Sequence, residues 1–375
     1  MPAPVSLRSL DMLRGALATY VLLGHCRWLL WAGHARWMAQ PHAAWLEPVV
    51  YASAGLRFGR EAVMVFFVLS GFFIHLRAAQ QVSPASARLE AASFFRRRAH
   101  RLGAPYAFAL LLTLACDLVG RLWFPTLYAA ATGDPLLDSV FRPTGYSWPS
   151  VAPALVVLPS SLGYDFGTNG PLWSLAFEVV YYALYPAWFA LRRRSALAAG
   201  GLVPAGCLAA ALLPVHSFPV TVLIHYPLWL AGAGLAELLS RHALPRVTPY
   251  VASVVFAAGL LLRIASGSTV VSVLAAVIFG AAAVCGFAAL RDTATASAFG
   301  RMLERLGARS YTIYIVHFPF LALLSAALIE TSGGRPMHGW FAVLGAAGAL
   351  AFGCLCFEVC EKHFVHHLPA GRHAT

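Results

Sequence analysis

Apolar runs long enough to cross a lipid bilayer recur along the whole chain. The runs are 17 to 23 residues long, and about 20 helical residues cover the roughly 30 Å hydrocarbon core. Of 375 residues, 59% are hydrophobic and 11% are charged, whereas a soluble domain carries roughly 25% charged residues. A charged side chain at the bilayer centre costs roughly 2.5 kcal/mol or more. The sequence therefore predicts an all-α integral membrane protein.

We predict about ten transmembrane helices. The segments lie at residues 10–31, 58–79, 104–123, 168–190, 197–214, 219–240, 248–264, 269–290, 310–329 and 339–360. The fifth segment is the weakest because it contains three glycines and a proline, although such residues are tolerated in membrane helices. The first run lacks a small-residue cleavage pattern, so we expect it to be a retained span rather than a signal peptide.

The basic residues predict the orientation of these spans. With the N-terminus in the cytoplasm, 17 arginine and lysine residues fall in inside segments. Only four fall in outside loops: Arg36, Arg57, Arg142 and Arg335. This asymmetry follows the positive-inside rule, and removing any one span would reverse it for the later loops. We therefore expect both termini to be cytoplasmic.

The net charge of +12 does not indicate nucleic-acid binding. The basic residues form short clusters between apolar runs, without the continuous patch that nucleic acid requires. Anionic lipid head groups or an anionic cosubstrate are better partners for such clusters. No composition shift divides the chain, so we predict a single membrane-embedded domain over residues 1–375 with a short cytoplasmic tail at 362–375.

The predicted outside loop at residues 124–167 is the longest. Its apolar stretch Val151–Leu158 is too short to cross the bilayer, so we interpret it as an interfacial or re-entrant piece above a site.

Ionisable residues inside predicted spans are candidates for function because they are costly there. The first span carries Asp11, Arg14 and His25. Eleven residues separate Arg14 from His25, so a helix places both on one face, about 16 Å apart along its axis. This spacing suits a long ligand held at a charged end and reacting at the other. Alternatively, Arg14 extends to the interface and His25 bonds a backbone carbonyl.

Two later spans also carry ionisable residues. Glu178 lies in the middle of its span, where a carboxylate needs a partner or a proton. It could pair with an arginine, orient a histidine or relay a proton. His317 lies about two turns into its span beside Pro319, and packing explains it equally well.

A dense basic cluster precedes the third span and consists of Arg96, Arg97, Arg98 and Arg101. It either orients the protein against lipid or clamps phosphates, because guanidinium groups bind phosphate bidentately. The seven cysteines lie in or beside apolar runs without metal-ligand spacing, so we expect apolar packing and no metal site. Motifs of ATPases, zinc proteases and serine hydrolases do not occur.

Six motifs in order make the chain resemble the membrane-bound acyltransferase-3 family, the O-acetyltransferase type. They are Ser9–Gly15 followed by His25, Phe66–Phe72, Phe94–Arg98 with Arg101 and Pro105, Asn169–Leu175 with Glu178, Ser310–Tyr311 with Tyr314 and His317–Pro319, and Glu361–Lys362. The resemblance covers nearly the whole chain. One departure is Met12, where the family usually has an aspartate-glycine pair before the leucine and arginine.

The resemblance implies ten spans, a cytoplasmic acyl-CoA donor and an acceptor on the outer side. It implies that His25 is catalytic and that Arg14 is its required companion, with Glu178 as a further candidate. We expect Arg14 and the arginine cluster to hold the donor phosphates. Asp11, His317, Trp173 and Ser174 are candidates for supporting positions.

The partners are thus expected to be acyl-CoA, by default acetyl-CoA, a carbohydrate or small-molecule acceptor, and the bilayer of a bacterial inner membrane. No bound cofactor is expected, and the oligomeric state stays open. A proton-coupled transporter using Asp11, His25, Glu178 and His317 is the main alternative, although no repeated halves with broken helices are found. A nonenzymatic subunit of a polysaccharide assembly system is a further alternative.

Overall fold

A computed structural model describes residues 7–80, 89–142, 145–215, 217–241, 247–290 and 296–363. The helices numbered here are α1 (Leu7–Leu29), α2 (Gly59–Ala79), α3 (Ala91–Trp123), α4 (Trp173–Arg194), α5 (Val203–Ala209), α6 (Phe218–Ser240), α7 (Pro249–Ala265), α8 (Thr269–Ala288), α9 (Ala298–Ala308), α10 (Ser310–Ser332) and α11 (Trp340–Cys356). Within the described residues there is no strand, only an isolated bridge between Gly145 and Phe166. The predicted all-α class is confirmed.

Further short helical segments lie between the numbered helices. They are His34–Met38, Ala44–Leu46, Glu47–Ser53, Ala54–Arg57, Pro125–Tyr128, Pro135–Phe141, Trp148–Leu155, Gly170–Leu172, Ala198–Leu202, Ala210–Leu212 and Phe357–Glu361. The apolar stretch predicted as interfacial or re-entrant begins within Trp148–Leu155, a helix too short to cross a bilayer.

Seven helical segments among the described residues are long and apolar enough to span a membrane. They are Gly59–Ala79, Ala91–Trp123, Gly170–Arg194, Phe218–Ser240, Thr269–Ala288, Ser310–Ser332 and Trp340–Glu361. The three other predicted spans are helical as well: α1 carries several charges, residues Ala198–Leu212 form a short irregular helix, and α7 has 17 residues. The chain is a multi-pass membrane protein, and the ten-span count stays a prediction.

Large apolar side chains cover the outside of these helices. Leu111, Leu122 and Leu261 expose 67%, 76% and 65% of their surface, where a water-soluble helix would carry charges. Lipid contact explains this pattern, because hydrocarbon solvates such side chains as well as a protein core does.

Helix α3 extends beyond the predicted span at residues 104–123. It begins at Ala91 rather than at residue 104 and contains Pro105 in its interior. At 1.5 Å per residue, its 33 residues are longer than the hydrocarbon core is thick. The arginine cluster therefore lies on the first turns of this helix and not in a loop before it.

Several residues used for the charge asymmetry lie outside the described part of the chain. They are Arg88, Arg246, Arg291 and Arg372, and most of the predicted tail, residues 364–375, lies outside it too. The orientation of the termini accordingly stays a prediction.

The helix ends follow local sequence signals. Thr248 and Ser268 cap α7 and α8 by accepting hydrogen bonds from the backbone N–H groups of Val251 and Val271. Helix α10 ends at Gly333, whose φ of 73° is readily adopted only by glycine.

The chain divides into two compact units. The first comprises Met1–Leu17, Arg60–Phe94 and Phe177–Ala308, and the second comprises Ala18–Gly59, Phe95–Ala176 and Arg309–Thr375. Helices α1, α3 and α4 each contribute residues to both units, and the single membrane-embedded domain stays a prediction.

Small residues set the helix spacing within the first unit. A Cβ at Gly71 would lie 1.9 Å from the carbonyl oxygen of Trp229, and one at Gly232 would lie 1.8 Å from that of Val68. Backbones of α2 and α6 therefore touch through reciprocal glycines, the close approach that drives helix association in membranes.

We predict that Gly232→Ala destabilises the protein, because the clash falls on backbone and the two helices must separate. Overpacking of this kind typically costs about 1–3 kcal/mol. Gly234→Ala is the matched control on the same helix, since its Cβ would meet nothing within 4 Å. The thermal midpoint in detergent should fall for Gly232→Ala only, and equal midpoints would contradict the packing.

Candidate active site

Helix α1 carries three of the predicted site residues. It runs without interruption from Leu7 to Leu29, so the helical spacing assumed for Asp11, Arg14 and His25 holds. His25 is half-buried, and it lies in the second unit with His317 of α10.

His25 and His317 contact each other directly. Nδ1 of His25 lies 2.8 Å from Nε2 of His317. The two rings are 8° from parallel with centroids 5.1 Å apart, a separation that fits two rings meeting edge to edge in one plane. The contact is therefore an in-plane hydrogen bond rather than face-to-face stacking.

A backbone carbonyl determines which way this hydrogen bond runs. Nδ1 of His317 lies 3.0 Å from the carbonyl oxygen of Ile313, and a carbonyl can only accept, so this nitrogen carries the proton. A neutral imidazole has one N–H, so Nε2 of His317 is an acceptor. Nδ1 of His25 must then donate to it.

The hydrogen bonds from His25 to His317 and from His317 to the Ile313 carbonyl leave Nε2 of His25 with a free lone pair. This nitrogen makes no hydrogen bond within the part of the chain that the structure describes. A histidine whose tautomer is set by its other ring nitrogen is the usual form of a general base. The arrangement can accept a proton or attack an electrophilic carbon.

Aromatic side chains surround the His25 ring. Phe318 meets it edge-on with centroids 5.1 Å apart, and Trp28 does so at 6.4 Å. These walls keep the ring in place and limit water on its flanks, while His317 itself is buried, with 1% of its surface exposed.

The segment before α4 contacts the same part of α10. The Tyr314 hydroxyl lies 2.9 Å from the carbonyl oxygen of Pro171 and 2.8 Å from Oγ of Ser174. Ser174 is buried and Trp173, the first residue of α4, is half-buried. The structure thus brings Ser174 to the α10 turn that carries Tyr314, whereas Trp173 stays a predicted supporting residue.

In the first unit, Arg14 pairs with Asp11. Nη1 of Arg14 lies 3.2 Å from Oδ1 of Asp11, and the Phe73 ring centroid is 5.9 Å from its guanidinium carbon. The side chain of Arg14 is 18% exposed, so it is held partly inside the protein rather than extended along the interface.

Glu178 also lies in the first unit, where it accepts hydrogen bonds from hydroxyl groups. Oγ of Ser70 donates over 2.7 Å, and the Tyr182 hydroxyl donates to the same carboxylate oxygen. Of the three sequence interpretations, neither an arginine pair nor a histidine contact occurs among its hydrogen bonds in the described residues. Orienting the His25 ring was one of the roles open to Glu178, and in the structure His317 makes that contact with His25.

Three of the four arginines of the cluster lie on one face of α3. Arg97, Arg98 and Arg101 are half-buried at three- and four-residue spacing, which places them side by side on a helix. Arg96 lies on another face and is exposed. Arg96, Arg97 and Arg101 form no ion pair within the described residues, so their charges are available to an anion.

Two polar networks were missed in the sequence. Asp117 is fully buried and accepts from the Thr168 N–H, the Thr168 hydroxyl and the Tyr146 hydroxyl. Its position inside a predicted span was the signal that could have identified it. In the first unit, the carboxylate of Glu237 pairs with His75 at 3.2 Å and with Arg192 at 2.5 Å, a contact between distant segments that no local pattern indicates.

An arginine from the segment before α11 holds the end of α1. Nη1 of Arg335 lies 2.6 Å from the carbonyl oxygen of Trp28, and Nη2 pairs with Asp134. Both side chains are over 90% buried, at 7% and 9% exposure. This bridge fixes the helix end three residues beyond His25.

These features define a multi-pass membrane protein with a hydrogen-bonded pair of histidines among its helices. The family model described as an acyltransferase domain, acyltransferase family 3, matches residues 7–358, and the chain therefore belongs to that family. It is an enzyme that transfers acyl groups, which removes the transporter and subunit alternatives.

A relative of known class agrees with this assignment. The chain is similar to the acyltransferase MdmB of Streptomyces mycarofaciens, with 27% identity over 343 residues that cover 82% of this chain and 79% of that protein. No solved structure matches the chain.

The bridge at the end of α1 predicts a pH-dependent stability. Burial raises the pKa of Asp134, but the hydrogen bond and charge of Arg335 and the N–H groups of Leu136 and Leu137 outweigh burial and lower it. A lowered folded-state pKa contributes stability above the ordinary carboxyl pKa of about 4, and this stability is lost as the pH falls through the lowered value.

Asp134→Asn should therefore lower the thermal midpoint most near neutral pH, with a difference from wild type that shrinks on acidification to about pH 3. Glu330→Gln, at an exposed carboxylate, is the control for loss of one charge. A constant difference across this range would contradict the ion pair.

Proposed function

We propose that this acyltransferase moves an acyl group, by default acetyl, from acyl-CoA on the cytoplasmic side to a hydroxyl group of an acceptor on the outer side. The acceptor is a surface glycan, a lipid-linked sugar or a secreted metabolite. The observation that carries the proposal is the hydrogen-bonded chain from Ile313 through His317 to His25, which leaves a basic nitrogen open.

The free nitrogen supports a simple mechanism. Nε2 of His25 takes the proton of the acceptor hydroxyl while its oxygen attacks the thioester carbonyl carbon. The new carbon–oxygen bond forms, the carbon–sulfur bond breaks, and the CoA thiolate takes the proton from His25. Throughout, the Nδ1–H of His25 keeps its bond to His317, so the imidazolium retains a partner.

The same lone pair supports a two-step route. Nε2 can attack the thioester to give an acyl-histidine, which the acceptor hydroxyl then opens. The hydrogen-bond chain serves both routes, because each needs His25 protonated on Nδ1 and free on Nε2. Mass measurement of the protein after incubation with donor alone distinguishes the routes.

Arginines provide the expected contacts for the donor phosphates. Arg14 lies about 16 Å before His25 along the continuous helix α1, and its guanidinium is held by Asp11 and Phe73. The common face of Arg97, Arg98 and Arg101, with Arg96 beside it, offers further guanidinium groups for bidentate phosphate contacts. We assign a supporting role near the imidazole to Ser174 and Trp173.

The orientation in the membrane and the loop at residues 124–167 complete the proposal. The charge asymmetry supports cytoplasmic termini, and we propose that the enzyme lies in a bacterial inner membrane. Residues 124–167 are proposed to contribute acceptor specificity, because loops on a fixed scaffold commonly carry it.

The proposal is tested by following thiol release from acetyl-CoA by the purified protein, with and without a cell-surface glycan extract. His25→Ala should lose transfer, and His317→Ala should reduce kcat by about 100-fold or more, the scale of a lost or misoriented base. Arg14→Ala should raise the KM for the donor.

His225→Ala is the matched control, because His225 is another histidine of a membrane helix that bonds a carbonyl one turn earlier, that of Thr221. It should keep wild-type kcat, and all variants should remain in the membrane. Full activity of His25→Ala would refute the mechanism. Absence of both thiol release and donor binding in wild type would refute the acyl-CoA donor.

A further inference from the structure

Helix α10 contains a proline one turn beyond Ile315. Pro319 lies inside the helix, and it has no N–H group to donate to the carbonyl oxygen four residues earlier. That oxygen belongs to Ile315. In a helix that spans a membrane, a carbonyl without its helical donor needs another partner from the protein.

Asn169 provides this partner. Its side-chain Nδ2 donates to the carbonyl oxygen of Ile315 over 2.9 Å and to Oγ1 of Thr113 over 3.0 Å. Thr113 in turn gives its own proton to the carbonyl oxygen of Ala109. Because both acceptors have no proton to give to the amide, the orientation of the Asn169 amide is determined.

Burial and the hydrogen bonds of neighbouring residues hold Asn169 in place. Asn169 and Thr113 are fully buried, and the preceding residue, Thr168, is held by Asp117 through its N–H at 2.9 Å and its hydroxyl at 2.6 Å. Two residues after Asn169, the carbonyl oxygen of Pro171 accepts a hydrogen bond from the Tyr314 hydroxyl. Residues 169–171 therefore hold α10 at two adjacent positions, 314 and 315.

We infer that Asn169 is a positioning residue for acyl transfer: by bonding the carbonyl that Pro319 leaves open, it holds the turn of α10 that aims His317 at His25. The carbonyl that receives the Nδ1 proton of His317 is that of Ile313, in the same turn. A shift of this turn moves His317, and His25 then loses the partner that sets its tautomer. This inference rests on the proposed function and adds a residue to it.

The test is a double-mutant cycle between Asn169→Leu and Pro319→Ala, measured as thiol release. Asn169→Leu removes the donor at similar volume and should lower kcat by about 100-fold, the effect of a misplacement of about 1 Å, while the donor KM stays near wild type. Pro319→Ala restores an N–H at position 319, so Ile315 regains a donor within the helix. The loss caused by Asn169→Leu should therefore be much smaller in the Pro319→Ala background.

Thr113→Val is the matched control. It removes the second acceptor of the Asn169 amide but leaves the bond to Ile315, so it should lower the thermal midpoint without a comparable loss of kcat. Should Asn169→Leu not be recovered from membranes, Asn169→Ala takes its place. Wild-type kcat in the Asn169 variant, or effects that simply multiply in the cycle, would overturn the inference.

A second measurement tests the positioning role of Asn169 separately from the proposed acyl-CoA transfer. Diethyl pyrocarbonate modifies an unprotonated imidazole nitrogen, and its reaction at His25 is followed by mass spectrometry without any substrate. Asn169→Leu and His317→Ala should both change the rate of this modification, because losing the His317 contact changes which ring nitrogen of His25 is unprotonated and accessible, whereas Thr113→Val should keep the wild-type rate. If wild type releases no thiol, the acyl-CoA proposal fails, and an unchanged modification rate in Asn169→Leu would separately refute the positioning role.

Discussion

Inside the hydrocarbon core of a bilayer, backbone N–H and carbonyl groups must find their hydrogen-bond partners within the protein, and this requirement organises the contacts around His25. The carbonyl of Ile313 fixes the proton on His317, and His317 fixes the proton on His25. The nitrogen left open at the end of this chain is the one that the proposed mechanism uses as its base.

The same requirement explains polar contacts that have no direct part in the reaction. Asn169 satisfies the carbonyl that Pro319 leaves open, Ser325 donates to the carbonyl of Leu29, and Arg335 donates to that of Trp28. Each contact reaches a carbonyl near a helix end or a proline, where the regular helical ladder is broken. The hydrogen bonds that hold these helix ends and the proline turn therefore also hold the helices that carry His25 and His317.

Hydropathy and charge predicted the class of protein, because apolar length is the strongest structural signal that a membrane imposes. The position of His25 on α1 and that of His317 on α10 followed from the same spans. Their contact did not, because 292 residues separate them and helix periodicity describes only one helix at a time. Asn169 and Ile315 are separated in the same way, by 146 residues.

Apolar length placed the third span at residues 104–123 but does not show where its helix begins. Helix α3 begins at Ala91, because a helix can extend beyond the bilayer, where its charges are solvated. The sequence left Glu178 open to pairing with an arginine, orienting a histidine or relaying a proton, whereas in the described residues it accepts hydrogen bonds from the hydroxyl groups of Ser70 and Tyr182. Spacing in sequence cannot tell which neighbouring helix supplies such a donor.

The tautomer of His25 decides whether its hydrogen bond to His317 leaves Nε2 open as a base. Nitrogen-15 NMR of protein labelled in its histidine rings, compared with the His25→Asn variant, isolates the two ring nitrogens of His25. The structure predicts a protonated Nδ1 and an unprotonated Nε2 at neutral pH, a pattern that is lost in His317→Ala. A proton on Nε2 of His25 in the wild-type protein would contradict the account.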